Sequence, residues 1–393
     1  MFLCPGRKEI LSDLAIACIL STIVLVAGTI SIELGISAAI IEILLGVFAG
    51  NSLHVPPTPW LVFIASLGGI LLTFLAGTEV DLKVMRANLK ESLLIGSLSF
   101  ILPFLLTFGF TYFIAHWSIN AAKIAGVALS TTSLAVVYAV LVESGLAKTE
   151  LGKIIMASTF VTDFGTALAL SLLFLQFNVY TLVFLGFSVI LLVFGPRLIG
   201  FFFRRYSARV IEPEIKLVFL IFFIAMLLGE LGKSHAVLPI FLLGLLMSGF
   251  FTAHRATLQK LRTVGFAFIT PFFFIKGGMN VGVKEVAANW WIVAVLLGVK
   301  LAAKIVGVYP VSRMMLPRGG RVFLTLLMST GLTFGTISSV FGLQAGYIDK
   351  TQFSILIAVV ILSAVVPTII AQRFFAPVAA EEKEEILAEQ AEG

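Results

Sequence analysis

Residues Ile154–Phe177 read IIMASTFVTDFGTALALSLLFLQF, an apolar stretch with one acidic residue, Asp163, near its middle. At about 1.5 Å per residue, a helix of this length spans the roughly 30 Å hydrocarbon core of a bilayer. A carboxylate at that depth costs about 2.5 kcal/mol or more. Such residues bind an ion, carry a proton or pair with a buried cation, whereas a purely structural Asp would be protonated and hydrogen-bonded inside a helix bundle. We therefore predict an ion or proton site at Asp163.

The composition of the whole chain indicates a polytopic membrane protein. The 393 residues are 59% hydrophobic and 12% charged, with a mean hydropathy of +1.09, whereas about a quarter of the residues in soluble domains are charged. The pI of 9.3 is basic, but in a membrane protein an excess of Lys and Arg is first explained by positively charged cytoplasmic loops. We therefore expect no nucleic-acid partner. Cys4 and Cys18 form neither a metal-spaced cluster nor a disulfide framework.

Continuous apolar runs predict thirteen transmembrane helices and an all-α fold. Runs of about twenty residues exclude a β-barrel, whose strands alternate over about ten residues. The predicted spans lie near 11–29, 35–53, 60–78, 92–116, 121–142, 151–176, 180–203, 214–231, 236–251, 262–279, 290–315, 320–343 and 353–372.

The basic residues of the loops predict the orientation in the membrane. With thirteen crossings, 18 of the 27 Lys and Arg residues fall on one side and 6 on the other. The richer side is expected to be cytoplasmic. We therefore predict a multi-pass protein of the cell membrane with its N-terminus outside and its C-terminus in the cytoplasm.

Three short matches, in the same order, relate the two halves of the chain. Gly46 in LLGVFAG matches Gly244 in LLGLLMSG, at an offset of 198 residues. Gly77 matches Gly278 at 201, and Ser130-Thr131 matches Ser329-Thr330 at 199. The offset contains seven helices, an odd number, so matched segments run in opposite directions across the membrane. This predicts the inverted repeats of many secondary transporters; a duplication retained only for structure is the alternative.

The repeat predicts the organisation of the chain into two six-helix units joined by a linker helix. The expected segments are an extracytoplasmic N-terminus (1–10), the first repeat (11–176), the linker helix with a cytoplasmic loop (177–213), the second repeat (214–375) and an acidic cytoplasmic tail (376–393).

The fifth and twelfth spans are the best candidates for discontinuous helices. The fifth contains four consecutive hydroxyl residues, Ser130 to Ser133, and the twelfth contains Ser329-Thr330-Gly331. Glycines weaken a helix, and hydroxyls satisfy the backbone groups that a break frees. Two crossed breaks would offer oxygens to a cation near the membrane midplane. Close helix packing, which the same small residues favour, is the alternative for either segment alone.

Around Asp163, helical spacing places further candidate ligands and charges. Thr162 precedes it and Thr159 lies one turn away on the same face, a set of oxygens suited to a hard cation. Lys300 and Lys304 lie one turn apart in the eleventh span, and Lys304 is too deep to reach the membrane surface. We expect Lys304 to neutralise a group inside the bundle.

Several other charges lie at or near span ends. Glu79 is a possible ion-path residue because it follows Leu75-Ala76-Gly77 directly. The others are more typical of membrane-interface positions, and they are Glu42, Asp81, Glu143, Glu230 and Lys276.

Four segments together resemble the monovalent cation:proton antiporters of the Kef and NapA type (family 2). They are Phe74–Leu82 (FLAGTEVDL), Ser130–Thr132, Thr162-Asp163 and Lys304–Gly307 (KIVG). The resemblance extends over about residues 10–375, in helix number and in the order of the motifs.

The resemblance implies an NhaA-like antiporter fold, a homodimer and a six-helix core that moves as an elevator. It implies that Asp163 binds the ion and the proton and that Lys304 is the core basic residue. It also implies that Thr159 and the Thr131–Thr132 region help to coordinate the cation, and that Glu79 matches an acidic position near the ion path of some members. From the residues themselves we add Thr162 and Ser130 as candidate ligands. Lys300, Ser329 and Thr330 are added as possible ion-path residues. The transported ions would be Na⁺ or K⁺ and H⁺, and no cofactor is implied.

The chain departs from the electrogenic branch of that family, whose members carry two adjacent aspartates, because Thr162 stands where the first would be. A single carboxylate for which proton and cation compete predicts electroneutral one-for-one exchange, unless Lys304 also releases a proton.

Three other functions have less support in the sequence. A cation channel would be indicated by a charged ring or a carbonyl-filter signature, and the sequence shows neither. An organic-anion symporter on a similar scaffold would need cavity-facing cations or amides, for which only Lys304 and Gln344 are candidates. An intramembrane hydrolase lacks a second deep catalytic group, so we expect no enzyme.

Overall fold

The computed structural model describes residues 12–35, 37–80, 82–147, 149–174, 178–206, 212–232, 236–316 and 318–377. The predicted N-terminal segment 1–10 and residues 378–393 of the predicted tail lie outside these ranges, as does Asp81. Regular structure in the described ranges is helical.

Helices of the first half overlap the first seven predicted spans, and the short helix α4 lies between the third and the fourth of them. They are α1 (Asp13–Leu34), α2 (Ala38–Asn51), α3 (Pro59–Thr78), α4 (Leu82–Ala87), α5 (Leu89–Gly109), α6 (Ile119–Ser130), α7 (Leu134–Glu143), α8 (Glu150–Leu173) and α9 (Val179–Tyr206). A π-helical turn, Phe110–Ile114, continues α5. The predicted fifth span is divided between α6 and α7.

Helices of the second half overlap the other six predicted spans, and the short helix α14 lies between the tenth and the eleventh of them. Its helices are α10 (Pro213–Leu231), α11 (Val237–Ala253), α12 (Arg255–Val264), α13 (Thr270–Met279), α14 (Val283–Ala288), α15 (Trp290–Met315), α16 (Arg321–Met328), α17 (Thr333–Gln344) and α18 (Lys350–Ile370). A π-helical turn, Gly265–Ile269, joins α12 to α13, and another, Ala371–Phe375, continues α18.

The lengths of the helices support a multi-pass membrane protein. Within the described ranges, nine helical segments have the length and hydropathy to cross a membrane, and two further apolar helices, Ala38–Asn51 and Val237–Thr252, are shorter. The all-helical polytopic class is thereby confirmed, while the count of thirteen crossings stays a prediction.

Helix α8 shows how local sequence places the candidate site. Thr149 caps the helix, since its side-chain oxygen accepts a hydrogen bond from the Gly152 amide at 3.1 Å, and this satisfies an amide that the helix leaves free. Glu150 in the first turn suits the positive end of the helix dipole. The helix then runs without interruption to Leu173, which puts Asp163 near its midpoint.

The helices pack into two groups. The scaffold group comprises α1, α2, α3, α9, α10, α11 and α13, and the crossing group comprises α5–α8 and α15–α18. Phe74, Phe222 and Phe251 form edge-to-face contacts within the scaffold core. Phe160 of the crossing group stacks on Phe241 of the scaffold group, with ring centroids 5.5 Å apart. The cavity of the candidate site lies between the two groups.

Two helix pairs of the scaffold group approach so closely that their glycines are required. A Cβ on Gly46 of α2 would meet the Ile275 carbonyl of α13, and one on Gly278 of α13 would meet the Ile43 carbonyl of α2. In the same way, Gly77 of α3 faces the backbone of α11. Small residues let apolar helices pack backbone to backbone in a membrane.

We expect Gly278→Ala to destabilise the protein by about 1–3 kcal/mol, because the new methyl group forces α2 and α13 apart. The matched control is Gly298→Ala on α15, where an added Cβ has no neighbour within 4 Å. Thermal unfolding of the detergent-purified variants measures the difference. Equal stability of the two variants would contradict the close approach of α2 and α13.

Candidate functional site

Two helices of the crossing group are interrupted in the middle of the bundle. Helix α6 ends at Ser130 and α7 begins at Leu134; helix α16 ends at Met328 and α17 begins at Thr333. Thr131 and Ser133 have extended backbone angles. The breaks fall at the Ser/Thr and Ser-Thr-Gly segments that the sequence singled out, so the predicted discontinuities are observed in both spans.

The two breaks meet, and each supplies hydrogen bonds to the other. The Thr132 hydroxyl donates to the Met328 carbonyl at 2.9 Å, and the Ser133 amide donates to the Thr330 hydroxyl at 3.5 Å. Gly331 lies against Thr131, where a Cβ would be 3.1 Å from Oγ1. Because buried backbone groups need partners in the absence of water, these bonds stabilise the crossing.

Lys304 of α15 binds the first break. Its fully buried ammonium group donates to Ser99 Oγ of α5 at 2.8 Å and to the Ser130 carbonyl at 2.8 Å. It also lies 3.1 Å from Thr132 Oγ1 and 3.4 Å from the Thr131 carbonyl. A cation at the carbonyl end of α6 is favoured by the helix dipole. The group that Lys304 was expected to neutralise is therefore the end of a broken helix.

Lys300, one turn earlier on α15, lies at the second break. Its ammonium group donates to Ser363 Oγ of α18 at 2.9 Å, and Ser363 in turn lies 3.4 Å from the Gly331 carbonyl. A side chain on Gly331 would collide with the Lys300 ammonium group. The two lysines therefore serve one break each, which spacing on α15 alone did not reveal.

Asp163 is only 2% exposed and lines a cavity of about 170 Å³ between the two helix groups. Its Oδ1 has no hydrogen-bond partner among the described residues. The first residues of α7 and α17, Leu134 and Thr333, line the same cavity. The predicted central residue therefore lies next to the crossing and carries a free oxygen that can accept a proton or a cation.

The other predicted ligands are buried beside this cavity rather than among its lining residues. The hydroxyl of Thr162 donates to the Thr159 carbonyl, and that of Thr159 to the Ile155 carbonyl. Ser130 and Thr131 likewise donate to carbonyls of α6. Each hydroxyl keeps its lone pairs, but the structure does not bring Ser130, Thr159 or Thr162 onto the cavity wall with Asp163. Their role as ligands stays a prediction.

Ser329 and Thr330 have the same arrangement. Their hydroxyls donate to the carbonyls of Thr325 and Leu327 within α16. Both residues are buried in the second break.

Glu79 lies at the junction of two cavities. It lines the Asp163 cavity and a second one of about 480 Å³, which is also lined by Arg255 and Arg262. Arg262 Nη2 and Glu79 Oε1 are 2.8 Å apart, with side-chain exposures of 38% and 29%. Glu79 therefore borders the Asp163 cavity, and its role in the ion path stays a prediction.

Sequence reasoning assigned Glu42 to a membrane interface, whereas the structure places it on the wall of the Asp163 cavity with only 6% exposure. Thr270 and Thr333 also line this cavity without having been singled out as ligands. One signal was available for Glu42: it stands in an otherwise apolar run, IIEILLG, as Asp163 does in its own.

The family described as "Sodium/hydrogen exchanger, transmembrane" matches residues 20–376. The chain is 27% identical to the "Probable Na(+)/H(+) antiporter 3" of Methanocaldococcus jannaschii over 357 residues, 86% of this chain and 89% of that protein. It is 25% identical to the Na⁺/H⁺-K⁺ antiporter GerN of Bacillus cereus over 354 residues, 86% of this chain and 90% of that protein.

The fold also resembles a solved structure, the sodium proton antiporter MjNhaP1 from Methanocaldococcus jannaschii at pH 8. The TM-score is 0.70 at 12% sequence identity, covering 93% of this chain and 99% of that one. At this identity the likeness establishes the fold alone.

The matched relatives are secondary transporters, which agrees with the expectation that the chain is not an enzyme. The predicted resemblance to cation:proton antiporters is confirmed, under the sodium/hydrogen exchanger name rather than that of the Kef and NapA branch. The family match covers well over half of the chain and agrees with the buried carboxylate beside two crossed, broken helices. The chain belongs to the sodium/hydrogen exchanger family.

Proposed function

We propose that the protein is a secondary transporter that exchanges Na⁺ or K⁺ for H⁺ at Asp163. The observation that carries this proposal is the Asp163 carboxylate, which is almost fully buried, has an unpartnered oxygen and lines a cavity next to the crossed breaks. A proton and a cation compete for that oxygen, so binding one releases the other. This competition couples the two fluxes without any further device.

Exchange at a single carboxylate is electroneutral. The site carries no net charge with either H⁺ or Na⁺ bound, so one proton is exchanged for one monovalent cation. Thr162 occupies the position next to Asp163 and cannot supply a second negative charge. Lys304 donates to carbonyl and hydroxyl oxygens, and within the described ranges its ammonium group forms no salt bridge. This supports a structural cation rather than a second exchanging group.

The packing of the scaffold group supports the proposed inverted repeat. The repeat relates α2 to α11 through Gly46 and Gly244, and α3 to α13 through Gly77 and Gly278. A two-fold operation between the halves therefore converts the α2–α13 contact into the α11–α3 contact, and both contacts are built around these glycines. We extend this to thirteen crossings, with residues 11–176 and 214–375 as the two repeats and 177–213 as the linker.

The division into two helix groups suits an elevator mechanism, in which the crossing group moves against the scaffold group. Asp163 belongs to the moving part and Glu79 to the static part, and the cavity between them changes sides. The proposed orientation places Glu79 and Arg262 toward the cytoplasm, so the cavity would open inward. In the membrane the scaffold group would form a homodimer.

Purified protein in liposomes with an interior pH-sensitive dye tests the proposal. We expect Na⁺ or K⁺ added across a pH gradient to move protons, with no steady current on a solid-supported membrane. Proton movement that requires a counter-ion would contradict electroneutrality. Cation flux without proton movement would indicate a channel and overturn the proposal.

A further inference from the structure

Glu42 is a second carboxylate on the cavity of Asp163, and it comes from the opposite helix group. It lies one turn into α2, between Ile41 and Ile43, which are also buried. The residue is only 6% exposed, and among the described residues it has neither an ion pair nor a hydrogen-bond partner for its carboxyl group. A carboxylate is retained in such a place at considerable cost, which calls for a functional reason.

The charges around Glu42 do not provide a structural partner. Glu79, the residue that follows α3, lines the same cavity but is already paired with Arg262. On α8, the charge that faces the cavity is Asp163, another acid. Lys276 of α13 lies two residues beyond the cavity-lining Phe274, which turns it about 200° away around the helix.

The remaining helix against α2 is α1, whose acidic residues, Asp13 and Glu33, are exposed near its two ends. Within the described part of the chain, the lining of this cavity contains three acidic residues and no Lys or Arg. A cavity lined by one sign of charge, with apolar walls, concentrates ions of the opposite sign.

We propose that Glu42 is a second cation-binding position of the transport cavity, where a partly hydrated monovalent cation is held on the scaffold side before it reaches Asp163. Carboxylate, hydroxyl and water oxygens suit hard cations, and Ser37 and Thr270 line the cavity with Glu42. Because Glu42 belongs to the scaffold group, it stays in place while Asp163 moves with its load. Glu42 therefore sets the apparent cation affinity and not the number of ions exchanged. This inference rests on the proposed function.

Glu42→Gln tests the inference in the liposome assay. We expect the KM for Na⁺ to rise roughly tenfold with little change in the maximal rate, because one unit of negative charge is lost from a low-dielectric cavity. Glu42→Asp keeps the charge and should return the KM to within about threefold of the wild-type value. The matched control is Glu230→Gln, an exposed residue of α10, which should leave KM unchanged.

A chemical version separates charge from packing. Glu42→Cys is prepared with Cys4→Ser and Cys18→Ser, so that it carries the single thiol. We expect the KM for Na⁺ of this variant to be raised. A methanethiosulfonate reagent that attaches a negatively charged sulfonatoethyl group to the thiol should lower it toward the wild-type value. The reagent that attaches a positively charged trimethylammonioethyl group should raise it further. A residue with a purely structural role would respond alike to both reagents, which are similar in size.

The outcomes distinguish the two proposals. Absence of exchange in the wild-type protein overturns the proposed function itself. Wild-type exchange with an unchanged KM in Glu42→Gln overturns the inference alone. Should Glu42→Gln fail to fold, the cysteine series decides: no labelling, or equal effects of the two reagents, overturns the role of Glu42.

Discussion

Asp163→Asn abolishes cation–proton exchange, with an initial rate at least about 100-fold below that of the wild type. The amide is nearly the same size as the carboxyl group, but it neither releases a proton in the working pH range nor offers a negative charge to a cation. Coulomb attraction at the short distance of an ion contact amounts to about 4 kcal/mol at an effective dielectric constant of 20, and this term is lost. The dye assay at several pH values measures the rate.

The same variant should fold as well as the wild type, or better. Oδ1 of Asp163 is buried without a hydrogen-bond partner, so its replacement by a neutral amide removes a buried charge at no cost in volume. Na⁺ should raise the unfolding temperature of the wild type, because a ligand that binds only the folded state stabilises it, and should raise that of Asp163→Asn much less.

Asp349→Asn is the matched control for this change. Asp349 is the exposed N-cap of α18, and its carboxylate accepts from the Gln352 amide at 2.8 Å. Asn caps helices about as well as Asp, so both exchange and stability should be retained. Exchange near the wild-type rate in Asp163→Asn would place the transport site elsewhere.

The sequence predicted the helices and both breaks well, because each leaves a local signal. A membrane-spanning helix needs about twenty apolar residues in a row, and a break in mid-membrane needs small and hydroxyl residues to satisfy its freed backbone groups. Ser130–Ser133 and Ser329–Gly331 carry that signal in their own composition. Asp163 could be identified from the sequence for a similar reason, since a charged residue inside an apolar membrane span is costly and is retained for a function.

The surroundings of Asp163 were predicted less well, because they depend on which helix faces which. Glu42 lies only four residues after the start of α2, where an interface position is the usual interpretation; its place on the cavity follows from the packing of α2 against α13. By helical spacing, Thr159 lies on the same helix face as Asp163. In the structure its hydroxyl donates a hydrogen bond to the Ile155 carbonyl of its own helix. Helical periodicity and composition predict which residues share a helix face. They do not predict which neighbouring helix packs against that face.

Lys304→Met should destabilise the protein more than Lys300→Met, the same change at the other lysine of α15. The Lys304 ammonium group is fully buried and contacts four oxygens from α5 and the first break, two of them backbone carbonyls. Methionine fills a similar volume but donates nothing, so the Ser130 and Thr131 carbonyls lose a charged donor in the absence of water. Leaving a buried hydrogen-bonding group unsatisfied costs about 1–3 kcal/mol, and here two backbone carbonyls are affected.

Lys300→Met is the matched control, since the two lysines are one turn apart and equally buried. The partner of Lys300, Ser363 Oγ, also donates to the Val360 carbonyl at 2.9 Å, so it keeps a hydrogen bond when the lysine is removed. The expected loss is therefore about 1.5–3 kcal/mol, the net value of one hydrogen bond to a charged group, and no buried carbonyl is left without a donor.

Thermal unfolding in detergent ranks the variants: wild type first, then Lys300→Met, then Lys304→Met, with exchange lost in the last. Loss of exchange in Lys304→Met at wild-type stability would instead make Lys304 a partner of the transported charge and return electrogenic exchange to consideration. Equal stability of all three proteins would contradict the role of Lys304 at the first break, because four buried oxygens cannot lose their cation without cost in a medium that offers no other donor.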